Sequence, residues 1–455
     1  MTIRTLPWRR LFLLPAMLLV LLGTPVLATE DTAPPVPTQA DVAVAPASEP
    51  LATGWVSEET AVDATLVGVR WNGDPEAEFT VEAKTTDGEW EAAEPVGADD
   101  TGTDEGSADA VKAEAQPGLE NNTEPVWVGT DVTAVRVTLE EGTAADVTVA
   151  AVDSEPGTTP DGSAGAFGLT IPIEGPQRYV FAGVLFGVAL LLGAIALGWS
   201  PWRGSRGRRG LAALTVVGSL ALAGCVPVAG GGPPGGLGGY ADPPTVNMRH
   251  TWGGDLPFQC GGGPQIMDQL KFAVVHHTAG SNSYGPGDTP AILRGIYSYH
   301  VNVNGYCDVA YNFFVDKYGQ LWEGRWGGVN NAIMGGHAGG FNTYSTGIAI
   351  LGDYTKASLP GAAYNSLTHL LRWKLSFHRI NPAAGFVTMV LSSPCNCQRW
   401  PVGTLVGFAS AIVGHGDVDY TSCPGGNVTS RFGQLRADVQ AGIVFPPDPT
   451  TTTTT

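Results

Sequence analysis

Positive charge is scarce in this chain. Its 455 residues hold 24 Lys and Arg against 43 Asp and Glu, a formal net charge of −19. That balance argues against nucleic acid as a partner and against electrostatic docking on an anionic membrane or anionic wall polymer. The His-Glu-x-x-His signature is absent, so no glutamate base can be read from a helix of that kind. Cysteine is rare, with six in the chain, few enough that each can be considered in turn. Charge vanishes altogether over residues 179–197. The length exceeds one domain; at ~100–200 residues per domain, two or more are expected.

Composition divides the chain. Residues 1–28 read as a secretory signal: Arg4, Arg9 and Arg10 precede an apolar run over 11–22, and Val26 and Ala28 sit in cleavage-compatible positions. The run is shorter than the ~20 residues of a membrane span. Residues 29–50, rich in Pro, Ala, Thr and Asp, read as a linker. Residues 51–153 carry short alternating runs and are expected to form a small all-β sandwich, with the acidic stretch 98–115 as a solvated loop. A second linker covers 154–177. Residues 178–199 read as a transmembrane helix, and Arg203, Arg206, Arg208 and Arg209 place 200–210 on the cytoplasmic side. The apolar stretch 211–228 allows two readings. It is a second span, closing a hairpin, or a lipoprotein-type signal ending in Leu222-Ala223-Gly224-Cys225. Residues 229–247 form a Gly/Pro-rich tether, 248–442 a mixed α/β domain, and 443–455 a Pro- and Thr-rich tail.

Two distant motifs carry chemistry. Val274-Val275-His276-His277-Thr278-Ala279 ends an expected strand in which Phe272, Val274 and His276 share one face and Ala273, Val275 and His277 the other. The two histidines therefore do not point into one site. Gly414-His415-Gly416-Asp417 leads through a Gly-, Asp- and Ser-rich loop to Thr421-Ser422-Cys423-Pro424. Two imidazoles and a thiol suit zinc and leave one coordination position open. Asp417 and Asp419 read as turn residues or as partners orienting His415, or as proton carriers.

These motifs, together with Ala310-Tyr311-Asn312-Phe313, Trp322-Glu323-Gly324-Arg325, His337-Ala338-Gly339-Gly340-Phe341-Asn342 and Gly347-Ile348-Ala349-Ile350-Leu351-Gly352, resemble in order those of the peptidoglycan recognition protein family, the zinc N-acetylmuramoyl-L-alanine amidases. The resemblance covers residues 248–440. It implies a mixed central β-sheet flanked by helices, and one zinc ion held by His276, His415 and Cys423. It places Tyr311 and Thr421 beside the scissile carbonyl, and His337, His277 and Asn342 as substrate-binding candidates. Gly416 departs from the Arg common in bacterial relatives. The implied reaction is cleavage of the amide between N-acetylmuramic acid and L-alanine. The alternative is a module that binds peptidoglycan without cutting it. Residues 51–153 are similar to β domains that precede some amidases of the family, with wall binding or spacing as the two readings.

With Cys225 at the membrane and Cys423 on zinc, Cys260, Cys307, Cys395 and Cys397 remain, and four cysteines allow three pairings. Cys260–Cys307 with Cys395–Cys397 is the preferred one. The whole reads as a membrane-tethered amidase facing the cell wall, with peptidoglycan and the membrane as partners.

Overall fold

The computed structural model describes residues 36–45, 50–92, 95–115, 121–155, 241–254, 256–393 and 398–443. In the first of these regions the period-two runs become strands: β1 (Thr38–Ala43), β2 (Leu51–Ala52), β3 (Thr60–Ala61), β4 (Leu66–Gly73), β5 (Glu78–Thr85), β6 (Trp90–Ala92), β7 (Asn121–Asn122), β8 (Val126–Trp127), β9 (Val132–Glu141) and β10 (Thr143–Asp153). One antiparallel sheet runs β1-β10-β4-β7, with β2 on β10 and β8 on β4; the other runs β3-β9-β5-β6. Val67, Val69, Trp71, Phe79, Val81, Val135, Val137, Leu139, Val147 and Val149 fill the space between them. The expected sandwich is present. Its first strand corrects the linker expected over 29–50: Thr38 to Ala43 pair along β10. The prolines at 34, 35 and 37 that gave the linker its composition stop just before the strand begins.

Side chains of β4 and β10 alternate between two cores. Leu66, Ala150 and Val152 turn away from the sandwich and join Ile292, Leu293, Ile296 and Tyr299 of helix α3 (Thr289–Asn302). A Cβ on Gly68 would overlap the Tyr299 ring, whose hydroxyl donates to Thr123 O at 2.9 Å. Strands that are apolar on both faces belong to sheets covered on both sides. The described residues all fall in one compact unit.

The second region builds a mixed sheet from β11 (Val246–Asn247), β12 (Phe272–His277), β13 (Phe313–Val315), β14 (Leu321–Glu323), β15 (Ser345–Ile350) and β18 (Ile412–Gly414), in the order β11-β14-β13-β15-β12-β18. Strand β12 runs parallel to both β15 and β18; β13 and β14 form an antiparallel hairpin. A separate ribbon pairs β16 (Phe386–Met389) with β17 (Leu405–Phe408). Helix α3 begins at Thr289-Pro290, as the proline predicts. Helix α4 (Gly361–Phe377) presents Leu367, Leu370, Leu371 and Leu375 to Ala273, Val275, Ile348 and Ile350 of the sheet, joined by Leu435 and Val439 of α6 (Phe432–Ala441). Two short helices, α1 (Ala108–Glu114) and α2 (Arg249–Trp252), complete the edges. Cys260 and Cys307 are bridged as preferred; Cys395 and Cys397 lie outside the described residues.

The acidic segment 98–115 is not a solvated loop. Asp104 is buried and accepts from the backbone N–H groups of Gly340 (2.9 Å), Asn342 (3.3 Å) and Thr343 (3.0 Å), and from Asn342 Nδ2 and Thr343 Oγ1. Asp109 on α1 accepts from Cys307 N at 2.8 Å and pairs with buried Arg325. Leaving one member of such a pair alone costs about 3–5 kcal/mol. Acidity that suggested solvent is satisfied by docking instead. Tyr311 stands just before β13, held by Arg325 N donating to its carbonyl at 2.9 Å. Among the described residues no helix is long and apolar enough to cross a membrane. The segments expected as signal (1–28), membrane spans (178–199 and 211–228), basic loop and tail lie outside the described residues, apart from Ile443 at the tail's start.

Candidate metal centre

Parallel pairing of β12 with β18 sets Val275 beside Gly414. His276 ends the apolar face of β12, and His415 opens the one-turn helix α5 (His415–Val418) that follows β18. The two rings approach to 4.4 Å between centroids. The segment after α5 returns to bring Cys423 against them. Ligand atoms of His276, His415 and Cys423 all lie within 4.8 Å of one another, and Cys423 Sγ is 3.7 Å from His276 Nδ1. A tetrahedral zinc with ordinary Zn–N and Zn–S lengths holds nitrogen and sulfur ~3.6 Å apart. The residues present fit the ion.

Tautomers follow from the neighbours. His276 Nε2 lies 3.0 Å from His337 Nδ1, and His415 Nε2 lies 3.2 Å from Asp419 Oδ2. Both rings use Nε2 for these contacts, which leaves Nδ1 as the atom available to a metal, a pattern that orients metal-binding imidazoles. Buried His415 Nδ1 has no hydrogen-bond partner; the nearest charge is Asp100 Oδ1 at 3.4 Å. Burial, with the rings of His415, His337 and His277, pushes the His276 pKa well below the usual value, which keeps the ring neutral. Burial pushes the Cys423 thiol up to about 12, with Asp100 adding to it and His415 opposing. Burial works against charge on His415 too, but Asp100, Asp419 and Cys423 outweigh it and raise its pKa well above the usual value. The pocket therefore favours a cation, and a divalent ion is the charge that turns a buried thiol into a thiolate.

The other expected residues are placed as follows. Tyr311 is buried with its ring 5.1 Å from His276. Its hydroxyl donates to Glu124 Oε1 at 3.4 Å, and burial, then Glu124 and Asp100, keep it protonated. Thr421 Oγ1 accepts from Cys423 N at 2.9 Å and donates to Asp100 Oδ2. His337 is not an exposed groove wall: it is fully buried, between His276 and Ser345 Oγ. His277 turns to the opposite face of β12, where Nδ1 accepts from Tyr354 N at 3.1 Å, while its backbone N–H points at Cys423 Sγ. Asn342 is buried; its Oδ1 accepts from His337 N (2.7 Å) and Ala338 N, and its Nδ2 donates to Gly102 O (2.7 Å). These three side chains support the centre from within rather than offering a surface. Asp417 accepts from Gly414 N and closes the start of α5. A Cβ on Gly416 would lie 3.0–3.1 Å from the carbonyls of Thr421 and Cys423, a tight fit.

Asp100 and Glu124 belong to the site and were not anticipated. No motif spacing links them to His415; the apolar residues on both faces of β4 and β10 were the available sign that something packs there. A second group, Asp99, Glu124 and His300, also gathers within 4.8 Å. His300 Nδ1 accepts from Ala310 N at 2.9 Å, so its Nε2 carries the proton and has no lone pair for a metal. Burial raises the Asp99 pKa to about 6 and Glu124 well above the usual carboxylate value, as in carboxyl pairs that share a proton.

Residues 267–426 match the family model described as N-acetylmuramoyl-L-alanine amidase. That span contains the metal centre and none of the sandwich. Peptidoglycan-recognition protein SC2 of Drosophila melanogaster is 29% identical over 188 residues, 41% of this chain and 84% of that protein. Peptidoglycan-recognition protein SC1a of the same fly is 30% identical over 167 residues, 37% of this chain and 74% of that protein. Peptidoglycan recognition protein 1 of Bos taurus is 33% identical over 137 residues, 30% of this chain and 68% of that protein. With its ordered motifs and folded core, the chain belongs to the family of peptidoglycan recognition proteins and type 2 N-acetylmuramoyl-L-alanine amidases.

Proposed function

We propose that this chain is a zinc-dependent amidase that hydrolyses the bond between N-acetylmuramic acid and the L-alanine of the peptidoglycan stem peptide. The observation that carries the reading is the gathering of His276, His415 and Cys423, with ligand atoms within 4.8 Å of one another and His276 Nδ1 3.7 Å from the buried thiol, each ring anchored through Nε2. Two His and one Cys take three of the four positions of zinc and leave one for the reacting groups. Bound zinc supplies polarisation of the carbonyl and a nucleophile at neutral pH.

The chain's own residues supply the rest. His337 and Asp419 hold the imidazoles in the ligating tautomer. Tyr311 and Thr421 bring hydroxyls beside the ligands, and one donor to a developing oxyanion is worth ~100-fold or more in rate. Asp417 closes α5 and Asp419 holds His415, so neither is spare to act as base. A binding-only module would not require a complete set of three zinc donors, and His276, His415 and Cys423 are kept together here, which favours cleavage. We also propose an outward-facing, membrane-tethered protein, supported by the apolar runs at 11–22 and 179–197 and the basic residues beside them.

Mass spectrometry of digested wall tests the reaction. The zinc-loaded chain is expected to release stem peptides and leave free lactyl ends on muramic acid. Cys423→Ser is expected to lose this product while still binding wall. Sugar and peptide left joined by metal-loaded wild type and Asp100→Ala alike, or full product from Cys423→Ser, would remove the reading.

A further inference from the structure

Three of the groups that the hydrolysis would use, His415, Thr421 and Tyr311, already have a partner from the N-terminal sandwich. Asp100 Oδ1 stands 3.4 Å from His415 Nδ1, the atom left free to ligate. The other oxygen of Asp100 accepts the Thr421 hydroxyl. Glu124 accepts the Tyr311 hydroxyl at 3.4 Å. Donors arranged for an oxyanion will also hold a carboxylate, and carboxylate oxygen is a good zinc ligand. Access is closed as well. His276, Tyr311 and His415 are 0% exposed and Cys423 is 3% exposed, although the substrate is a polymer.

Resting on the amidase reading above, we propose that the sandwich holds this enzyme latent: residues 99–104 fill the substrate side of the metal centre, and Asp100 faces the metal where water and the scissile carbonyl must come.

The segment is fastened on several sides. Asp104 receives five donors from Gly340, Asn342 and Thr343. Asn304 Nδ2 donates to Asp99 Oδ2 at 2.6 Å. Lys112 Nζ donates to Val301 O at 2.8 Å and Tyr306 O at 2.9 Å. Asp109 pairs with Arg325, and Gly68 admits Tyr299 into the sandwich face. Opening therefore means withdrawing the sandwich, not lifting a loose loop. Activity would follow the fraction of molecules in the withdrawn state, because apparent affinity falls in proportion to the competent population.

The test uses the full chain, wild type and two variants. Asp100→Ala removes the carboxylate at the metal. Gly68→Ala acts at the Tyr299 contact, on a residue with no part in the centre. Three quantities are read: binding of a dye-labelled muramyl tripeptide, release of its peptide with zinc bound, and the visible spectrum of the cobalt-loaded chain. Both variants are expected to bind the probe and release peptide at least ~10-fold better than wild type. Asp100→Ala is also expected to shift the cobalt spectrum and speed metal transfer to a chelator. Near-ultraviolet dichroism checks that each variant is folded; if Gly68→Ala unfolds, Asp100→Ala decides. Wild type that binds and cleaves as well as folded Asp100→Ala, with the same cobalt spectrum, overturns latency and leaves the amidase reading standing. Tighter probe binding with no cleavage by any form supports the occlusion and overturns the amidase reading.

Discussion

At His415 one ring answers to two carboxylates. Nε2 meets Asp419 at 3.2 Å, and Nδ1 faces Asp100 at 3.4 Å. The first contact sets the tautomer, and the second competes for the free lone pair's territory. Asp419 is fully buried, so its effect reaches the metal only through the ring. Asp419→Ala is expected to weaken zinc binding by about 10–100-fold, as loss of an orienting partner does. Competition against a chromophoric chelator measures this. Unchanged affinity in the folded variant would mean that β18 and α5 alone fix the ring. The candidate ligand set was legible, because His276, His415 and Cys423 sit in ordered motifs; the parity of β12 puts His276 and His277 on opposite faces, and the family resemblance chooses His276. His337 was legible as a candidate but not as a partner of His276. That contact depends on where the turn before β15 falls, which spacing along the chain does not encode.

Helix α3 shows what an element can reveal and conceal. Pro290 marks its start in the sequence, and Ile292, Ile296 and Tyr299 or His300 form an apolar stripe that by itself needs only one covered face. The helix is instead buried almost all round, because the sheet of β12–β15 lies on one side and β4 and β10 on the other. The sign in sequence was in the strands: Leu66 and Val67, or Ala150 and Ala151, leave no polar face for solvent. Burial has a pH consequence at His300. Burial, then the charge of Arg325, lowers its pKa to about 3, with Asp109 opposing. An unfolded His titrates near ~6.5. The folded value is the lower one, so this contribution to stability is complete above about pH 6.5 and is lost as pH falls toward 3. Over that window the slope is about 1.4 kcal/mol per pH unit. In metal-free protein, His300→Gln is expected to flatten the acid limb of a urea-denaturation series between about pH 6 and 4 by up to this slope. Parallel limbs for wild type and variant would show that another group drives the acid loss.

For the whole molecule, the decisive fact is that Leu66, Trp127 and Val152 share one core with Trp252, Tyr297 and Tyr299. Hydrophobic periodicity marked both regions but is silent on docking, because it records which face is apolar and not what covers it. The shared core restricts topology. Residues 36–155 and 241–443 must lie on the same side of any membrane. If the apolar run at 179–197 crosses one, the chain between the two regions must cross an even number of times. An apolar hairpin with the run at 211–228 meets this condition; a single crossing does not. Paired labelling sites test it in intact cells. Asp87 in the sandwich and Val402 before β17 are both exposed, while Cys423 is buried and Cys260 is bridged to Cys307. Asp87→Cys and Val402→Cys, made separately, are expected to react equally with a membrane-impermeant maleimide, above the signal of the parent chain. If one site labels and the other is protected until lysis, the two regions occupy opposite sides. A core built from both could not then form, and Asp100 could not reach His415.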